Sequence, residues 1–132
     1  MSLTTTITTQ DWREEVVIIK DAGHRLAGIL TLPSQGEASS VLVCAHGWGG
    51  NRNGPHNLLT HLSRQAAHQG IAALRFDFRG RGESDGAIEA ATLATMAEDL
   101  VAATAWCRER GFSTLHYSGI CSGGNVIIGA LP

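Results

Sequence analysis

Short apolar runs at residues 15–20 and 25–32 predict two strands, and Asp21-Ala-Gly-His24 between them carries the Asp and Gly that suit a tight turn. Antiparallel pairing follows. A polar stretch, Leu32-Pro-Ser-Gln-Gly-Glu-Ala-Ser-Ser40, then separates this hairpin from a different pattern. Apolar runs at 41–45, 71–76 and 114–118 read as strands and alternate with helical stretches, the sign of parallel strands joined by crossover helices. In the first helical stretch Leu58, Leu62 and Ala66 recur every four residues and Leu59 widens the stripe, with Gly70 as the stop. In the second, Leu93, Met96, Leu100, Ala103 and Cys107 keep a three-four spacing that ends at Gly111. Thr92 is one candidate N-cap, and Thr95-x-x-Glu98 offers a competing capping box. A last helix is expected from the Gly-rich turn near Cys121 through Val126-Ile-Ile128 towards Pro132.

The expected fold class is therefore α/β, an antiparallel hairpin followed by parallel strands with crossover helices. Residues 1–13 form an N-terminal arm and residues 14–132 one domain. The strand at 114–118 is expected to leave the sheet incomplete, with an edge open to further strands. Loops at the carboxyl ends of the strands are the places to look for chemistry.

Composition narrows the function. The chain has 132 residues, 43% of them hydrophobic, with 10 Lys+Arg against 12 Asp+Glu and a formal net charge of -2. Without a basic run there is no footprint for nucleic acid. No stretch approaches the roughly 18 consecutive apolar residues that a membrane span needs, so no membrane partner is expected. The N-terminus lacks a basic segment followed by an apolar one, so it does not read as a secretory signal. The three cysteines, without paired short spacing, suggest a reducing, cytoplasmic compartment.

Candidate chemistry gathers in three glycine-containing loops. In Tyr117-Ser-Gly-Ile-Cys-Ser-Gly-Gly-Asn125 a strand enters Gly119-Ile-Cys121-Ser-Gly123 and a helix follows, the arrangement of a nucleophile elbow. The sharp bend tolerates only small neighbours, which explains Gly119 and Gly123 on either side of Cys121. Cys121 rather than Ser122 occupies the nucleophile's place, because with Ser122 there the position two residues earlier would be the bulky Ile120. A helix N-terminus favours a thiolate and an oxyanion. A second loop, His46-Gly47-Trp48-Gly49-Gly50, lets a backbone N–H approach a substrate, so the amides of Trp48 and Ser122 are expected to make a two-donor oxyanion hole. His46 is expected to be a structural hydrogen bonder and Gly47 to give close approach. In the third loop, Arg75-Phe-Asp77-Phe-Arg79-Gly-Arg-Gly-Glu-Ser84, Asp77 and Arg79 are expected to pin a compact turn, a structural role.

Taken together and in this order, His46 to Gly50, Asp77 to Ser84 and Gly119 to Gly123 resemble the N-terminal half of an α/β-hydrolase. The resemblance is nearest to small carboxylesterases similar to feruloyl esterases and monoacylglycerol lipases. It covers residues 14–132 and implies Cys121 as nucleophile, the Trp48 and Ser122 amides as oxyanion donors, and no metal or cofactor. Most of the family carries Ser at the elbow; Cys there is similar to the dienelactone hydrolases and to acyl-transferring or cyclising members. The family's acid and catalytic His follow the nucleophile in the chain, whereas His24, His56, His61, His68 and His116 all precede Cys121. A C-terminal half or second polypeptide carrying those groups is therefore the expected partner, and a small apolar or aromatic ester or thioester the expected substrate.

Three rival readings compete with this one. A dinucleotide-binding unit would need a third glycine where Arg52 stands and leaves the elbow unexplained. For a metal site, Cys44 and His46 flank one position, while the five-residue spacing of His56 and His61 does not put them on one helix face. A non-catalytic hydrolase-like scaffold is the rival from another class.

Overall fold

The computed structural model describes residues 5–131. The predicted hairpin is present and longer than expected: β2 (Trp12–Asp21) pairs antiparallel with β3 (His24–Pro33) from Trp12↔Pro33 to Asp21↔His24. Its turn places Ala22 and Gly23 at φ 47° and 87°, both in the left-handed region that a tight hairpin turn needs. Ahead of it, β1 (Thr6–Thr8) pairs with β2, so part of the expected arm is strand. Three exposed residues without an apolar face give no strand signal in the sequence, and pairing alone recruits them.

The parallel part is built from β4 (Ser40–Ala45), β5 (Ala72–Phe76) and β6 (Thr114–Gly119). Connecting them are α1 (Leu58–His68), between β4 and β5, and α2 (Leu93–Arg110), between β5 and β6; α3 (Ser122–Ala130) follows β6. Thr92, not Thr95, is the N-cap of α2: its Oγ1 accepts the Thr95 N–H and its own N–H donates to the Thr95 Oγ1. Gly111 closes α2 in the left-handed conformation.

The six strands form one sheet in the order β1-β2-β3-β5-β4-β6. Alternation of side chains gives the sheet two unlike faces. One presents Ile19, Leu26, Leu30, Val41, Val43, Leu74 and Phe76 to Met96, Leu100, Ala103 and Cys107 of α2 and to Val126 of α3. Each fully buried Leu, Ile or Phe there contributes roughly 1.5–3 kcal/mol. The other face meets α1, which buries Leu59 of the expected stripe together with Thr60, Ser63 and Ala67, while Leu58 is exposed and Leu62 and Ala66 are only partly buried. Charge holds the same face: the Glu14 carboxylate accepts from Thr31 Oγ1 at 2.9 Å, Arg75 Nη1 at 3.0 Å and Arg64 Nη2 at 2.8 Å. Burial pushes the Glu14 carboxyl up, but the Arg64 and Arg75 guanidinium groups outweigh it and hold the pKa at about 2.

From β4 the chain moves to β5 on one side and then crosses to β6 on the other. The carboxyl ends of β4 and β6 therefore flank the topological switch point, the crevice where open sheets of this kind bind ligands. Among the described residues β6 pairs only with β4, leaving its outer edge free as expected.

Candidate active site

The loops after β4 and β6 meet at that crevice. Cys121 forms the bend between β6 and α3 with φ 53° and ψ -119°, a conformation rare for any residue with a side chain. Close approach maintains it. A Cβ on Gly123 would overlap the Ala45 carbonyl oxygen and come within 2.6 Å of the His46 oxygen, and one on Gly119 would run into the Gly123–Gly124 backbone. Ile120 N–H donates to the Ala45 carbonyl at 3.1 Å, fastening the bend to the end of β4. The Cys121 thiol is exposed. Cys44 and Cys107 are buried, and burial raises their thiols to about 11 and about 12, which leaves them protonated at neutral pH.

Gly47 lies against the bend, where an added Cβ would be 3.7 Å from the Cys121 Cβ and 3.4 Å from the Ile120 oxygen. The two amides proposed from sequence come together here but differ in state. Among the described residues the Ser122 N–H has no acceptor, whereas the Trp48 N–H donates to the Ser122 Oγ at 3.0 Å. The Trp48 carbonyl accepts from Arg81 Nε at 2.7 Å, and the half-exposed Trp48 ring lies 6.0 Å from the Arg81 guanidinium carbon.

His46 is buried with both ring nitrogens hydrogen-bonded. It is 1% exposed, its Nε2 accepts the Phe78 N–H at 3.1 Å, and Nδ1 therefore carries the proton that it shares with the Gly47 carbonyl at 2.6 Å. Burial keeps its pKa below the ordinary imidazole value. With both nitrogens engaged and the ring edge-on to Phe78, it stitches the loop after β4 to the loop after β5.

Asp77 is wholly buried, and its carboxylate ties the third loop to the loop after β4. Its carboxylate accepts from the Arg52 N–H and Arg52 Nη1, both at 2.6 Å, and from the Glu83 N–H at 2.9 Å. Gly82 curls over it so closely that a Cβ would strike the carboxylate. Arg79 turns away to Asp99, Asp21 and Glu98. Sequence reasoning missed Arg52, Arg81 and the Ser122 hydroxyl. Arg81 and Ser122 stand inside the motifs, but only the folded loops show what each one reaches.

His24 sits at the start of β3, His56 in the turn before α1, His61 and His68 on α1, and His116 on the exposed edge strand β6. Among the described residues no imidazole or carboxylate hydrogen-bonds the Cys121 sulfur. No helix among them is long and apolar enough to cross a membrane.

A strained strand-to-helix bend on a mixed α/β sheet, beside a glycine loop at the neighbouring strand's carboxyl end, is the architecture of an α/β-hydrolase nucleophile elbow. Family comparison agrees: residues 40–128 match the alpha/beta hydrolase fold, and the chain belongs to that family. Among solved structures it is similar to Est1E from Butyrivibrio proteoclasticus, solved with ferulic acid bound, at 26% identity and a TM-score of 0.79 over 86% of this chain and 46% of that one. It is similar to the alpha/beta hydrolase GrgF from Penicillium sp. sh18 at 27% identity and a TM-score of 0.77, covering 89% of this chain and 40% of that one. The dienelactone hydrolase from Anabaena variabilis ATCC 29413 shares the fold, with 23% identity and a TM-score of 0.75 over 92% of this chain and 57% of that one. The chain thus spans about half the length of these relatives. Among curated proteins no sequence matches it.

Proposed function

We propose that this chain carries the nucleophile-bearing part of an acyl hydrolase acting on a carboxylic ester or thioester, with Cys121 as the nucleophile. The observation that carries the reading is the exposed sulfur on a bend at φ 53°, next to an unengaged Ser122 N–H at the first turn of α3. The Cys121 thiolate attacks the acyl carbon, a C–S bond forms, and the carbonyl electron pair moves onto oxygen, where the Ser122 and Trp48 amides stabilise it. Collapse expels the alkoxide or thiolate with its bonding pair and leaves an acyl thioester. The leaving group takes up a proton and departs as alcohol or thiol. Water then attacks and gives up a proton that replaces the one taken by the leaving group, the C–S bond breaks with its pair returning to sulfur, and the free acid and the thiolate are left.

The proton shuttle and its supporting acid come from residues outside these 132, in a C-terminal half or a partner polypeptide. The free outer edge of β6 and the roughly half-length coverage of the relatives support that completion. The exposed Trp48 ring on the loop packed against the Cys121 bend favours an apolar or aromatic acyl group. The bound ferulic acid of Est1E points the same way.

A sulfur nucleophile favours a second reading, acyl transfer or cyclisation, because a thioester is open to amine and carbon nucleophiles as well as water. Mixing the protein with p-nitrophenyl acetate tests both readings at their shared step. The expected result is a burst of one p-nitrophenolate per chain that vanishes in Cys121→Ala and persists in Cys44→Ala. A burst of equal size in Cys121→Ala, or none in the wild-type protein, leaves the non-catalytic scaffold as the better reading.

A further inference from the structure

Resting on the hydrolase reading, we propose that the Ser122 hydroxyl is a built-in occupant of the oxyanion site: it holds the Trp48 N–H at 3.0 Å and must swing away before a substrate carbonyl oxygen can take that donor. The donor is the fixed side of this contact. The Trp48 carbonyl is held by Arg81 Nε at 2.7 Å, and its loop is closed by the Gly50 N–H on the Gly47 carbonyl at 3.1 Å. The acceptor is the movable side, since a serine hydroxyl changes place by one rotation about χ1 between staggered wells. The residue after Cys121 thus brings two groups to the same spot, an open N–H and a side-chain oxygen that covers the neighbouring donor.

The chemistry decides which oxygen wins. A neutral hydroxyl and a neutral ester carbonyl are comparable acceptors, so in the ground state the substrate competes with Ser122 for Trp48. A developing oxyanion accepts a hydrogen bond roughly twice as strong as a neutral one, so the hydroxyl is displaced as the acyl carbon becomes tetrahedral. Ser122 therefore acts as a positioning residue. It satisfies the loop when the site is empty and charges every acylation with one hydrogen bond.

Ser122→Ala removes the occupant and keeps the backbone donor. The measurement is the rate of Cys121 acylation by p-nitrophenyl acetate divided by its alkylation rate with iodoacetamide, a displacement that forms no oxyanion and so corrects for thiol exposure. Amide hydrogen exchange of Trp48 is followed in the same two proteins. Giving up one ordinary hydrogen bond predicts a ratio about threefold to tenfold higher in Ser122→Ala, with faster exchange at Trp48. A ratio that stays level or falls overturns the proposal, a fall meaning that the hydroxyl assists the oxyanion. If neither protein is acylated at Cys121, the hydrolase reading fails by itself; Trp48 exchange then decides the occupancy, unchanged exchange refuting it and faster exchange supporting it.

Discussion

The loops that follow β5 and β6 leave the same end of the sheet and are held by different forces. After β5, buried charge does the holding: Asp77 gathers Arg52 and the Glu83 amide, and Arg79 gathers Asp99 and Asp21. After β6 the bend contains no ion pair among the described residues and is set by the contact of Gly119 and Gly123 with neighbouring backbone. A loop pinned by charge has its polar side chains consumed in pinning. The other loop keeps a thiol and an amide free, and that difference separates a support from a candidate reaction centre.

The pinned loop gives the largest expected effect. Asp77→Ala leaves Arg52 unpaired and two backbone amides without an acceptor, and chemical denaturation should register a loss of about 3 kcal/mol or more. Cys121 acylation per folded molecule should change far less, and a proportional collapse of both would erase the distinction between the loops. Gly123→Ala makes the opposite break. Overpacking against Ala45 and His46 predicts a stability loss of about 1–3 kcal/mol, while single-turnover acylation of Cys121 should be nearly abolished because the bend itself shifts. Retained acylation in a folded Gly123→Ala protein would show that the close approach does not set the thiol.

Charge pinning recurs beneath α1, where it predicts a pH dependence. Glu14 has its folded pKa lowered from the ordinary 4.5 to about 2, so its contribution to stability is complete above pH 4.5 and is lost as the pH falls through about 2. Urea midpoints across this range should fall with acid in the wild-type protein and show a shallower fall in Glu14→Gln. The smallest effect belongs to the hairpin turn. Asn tolerates the left-handed conformation better than Ala, so Ala22→Asn should raise stability by up to about 1 kcal/mol, seen as a higher midpoint with unchanged acylation.

Much of this architecture is written locally. The apolar spacing of α2 from Met96 to Cys107, the stop at Gly111 and the tight turn at Ala22-Gly23 each follow from a few neighbouring residues, and so does the steric need for Gly119 and Gly123 around Cys121. The stripes at the starts of α1 and α2 do not hold, because Leu58 and Leu93 lie half exposed and α1 turns Leu59, Thr60, Ser63 and Ala67 inward instead. What escaped the sequence depends on distant partners. Arg52 lies 25 residues from Asp77, and Arg79 finds Asp21 58 residues away, so no local spacing announces either pair. β1 was illegible because an exposed Thr-Ile-Thr owes its strand to β2 alone. The Ser122 hydroxyl escaped for another reason: its Trp48 partner lies 74 residues earlier in the chain, and the motif specifies a backbone, not where a side chain turns.

The claim on which the functional account stands is that sulfur at position 121, rather than the neighbouring hydroxyl, takes the acyl group. Intact mass and peptide mapping of the p-nitrophenyl acetate-treated protein, before and after neutral hydroxylamine, test it directly. The account predicts one acetyl on the peptide holding Cys121, removed by hydroxylamine as a thioester is. An acetyl that survives hydroxylamine on Ser122, or one found on Cys44 or Cys107, would contradict it.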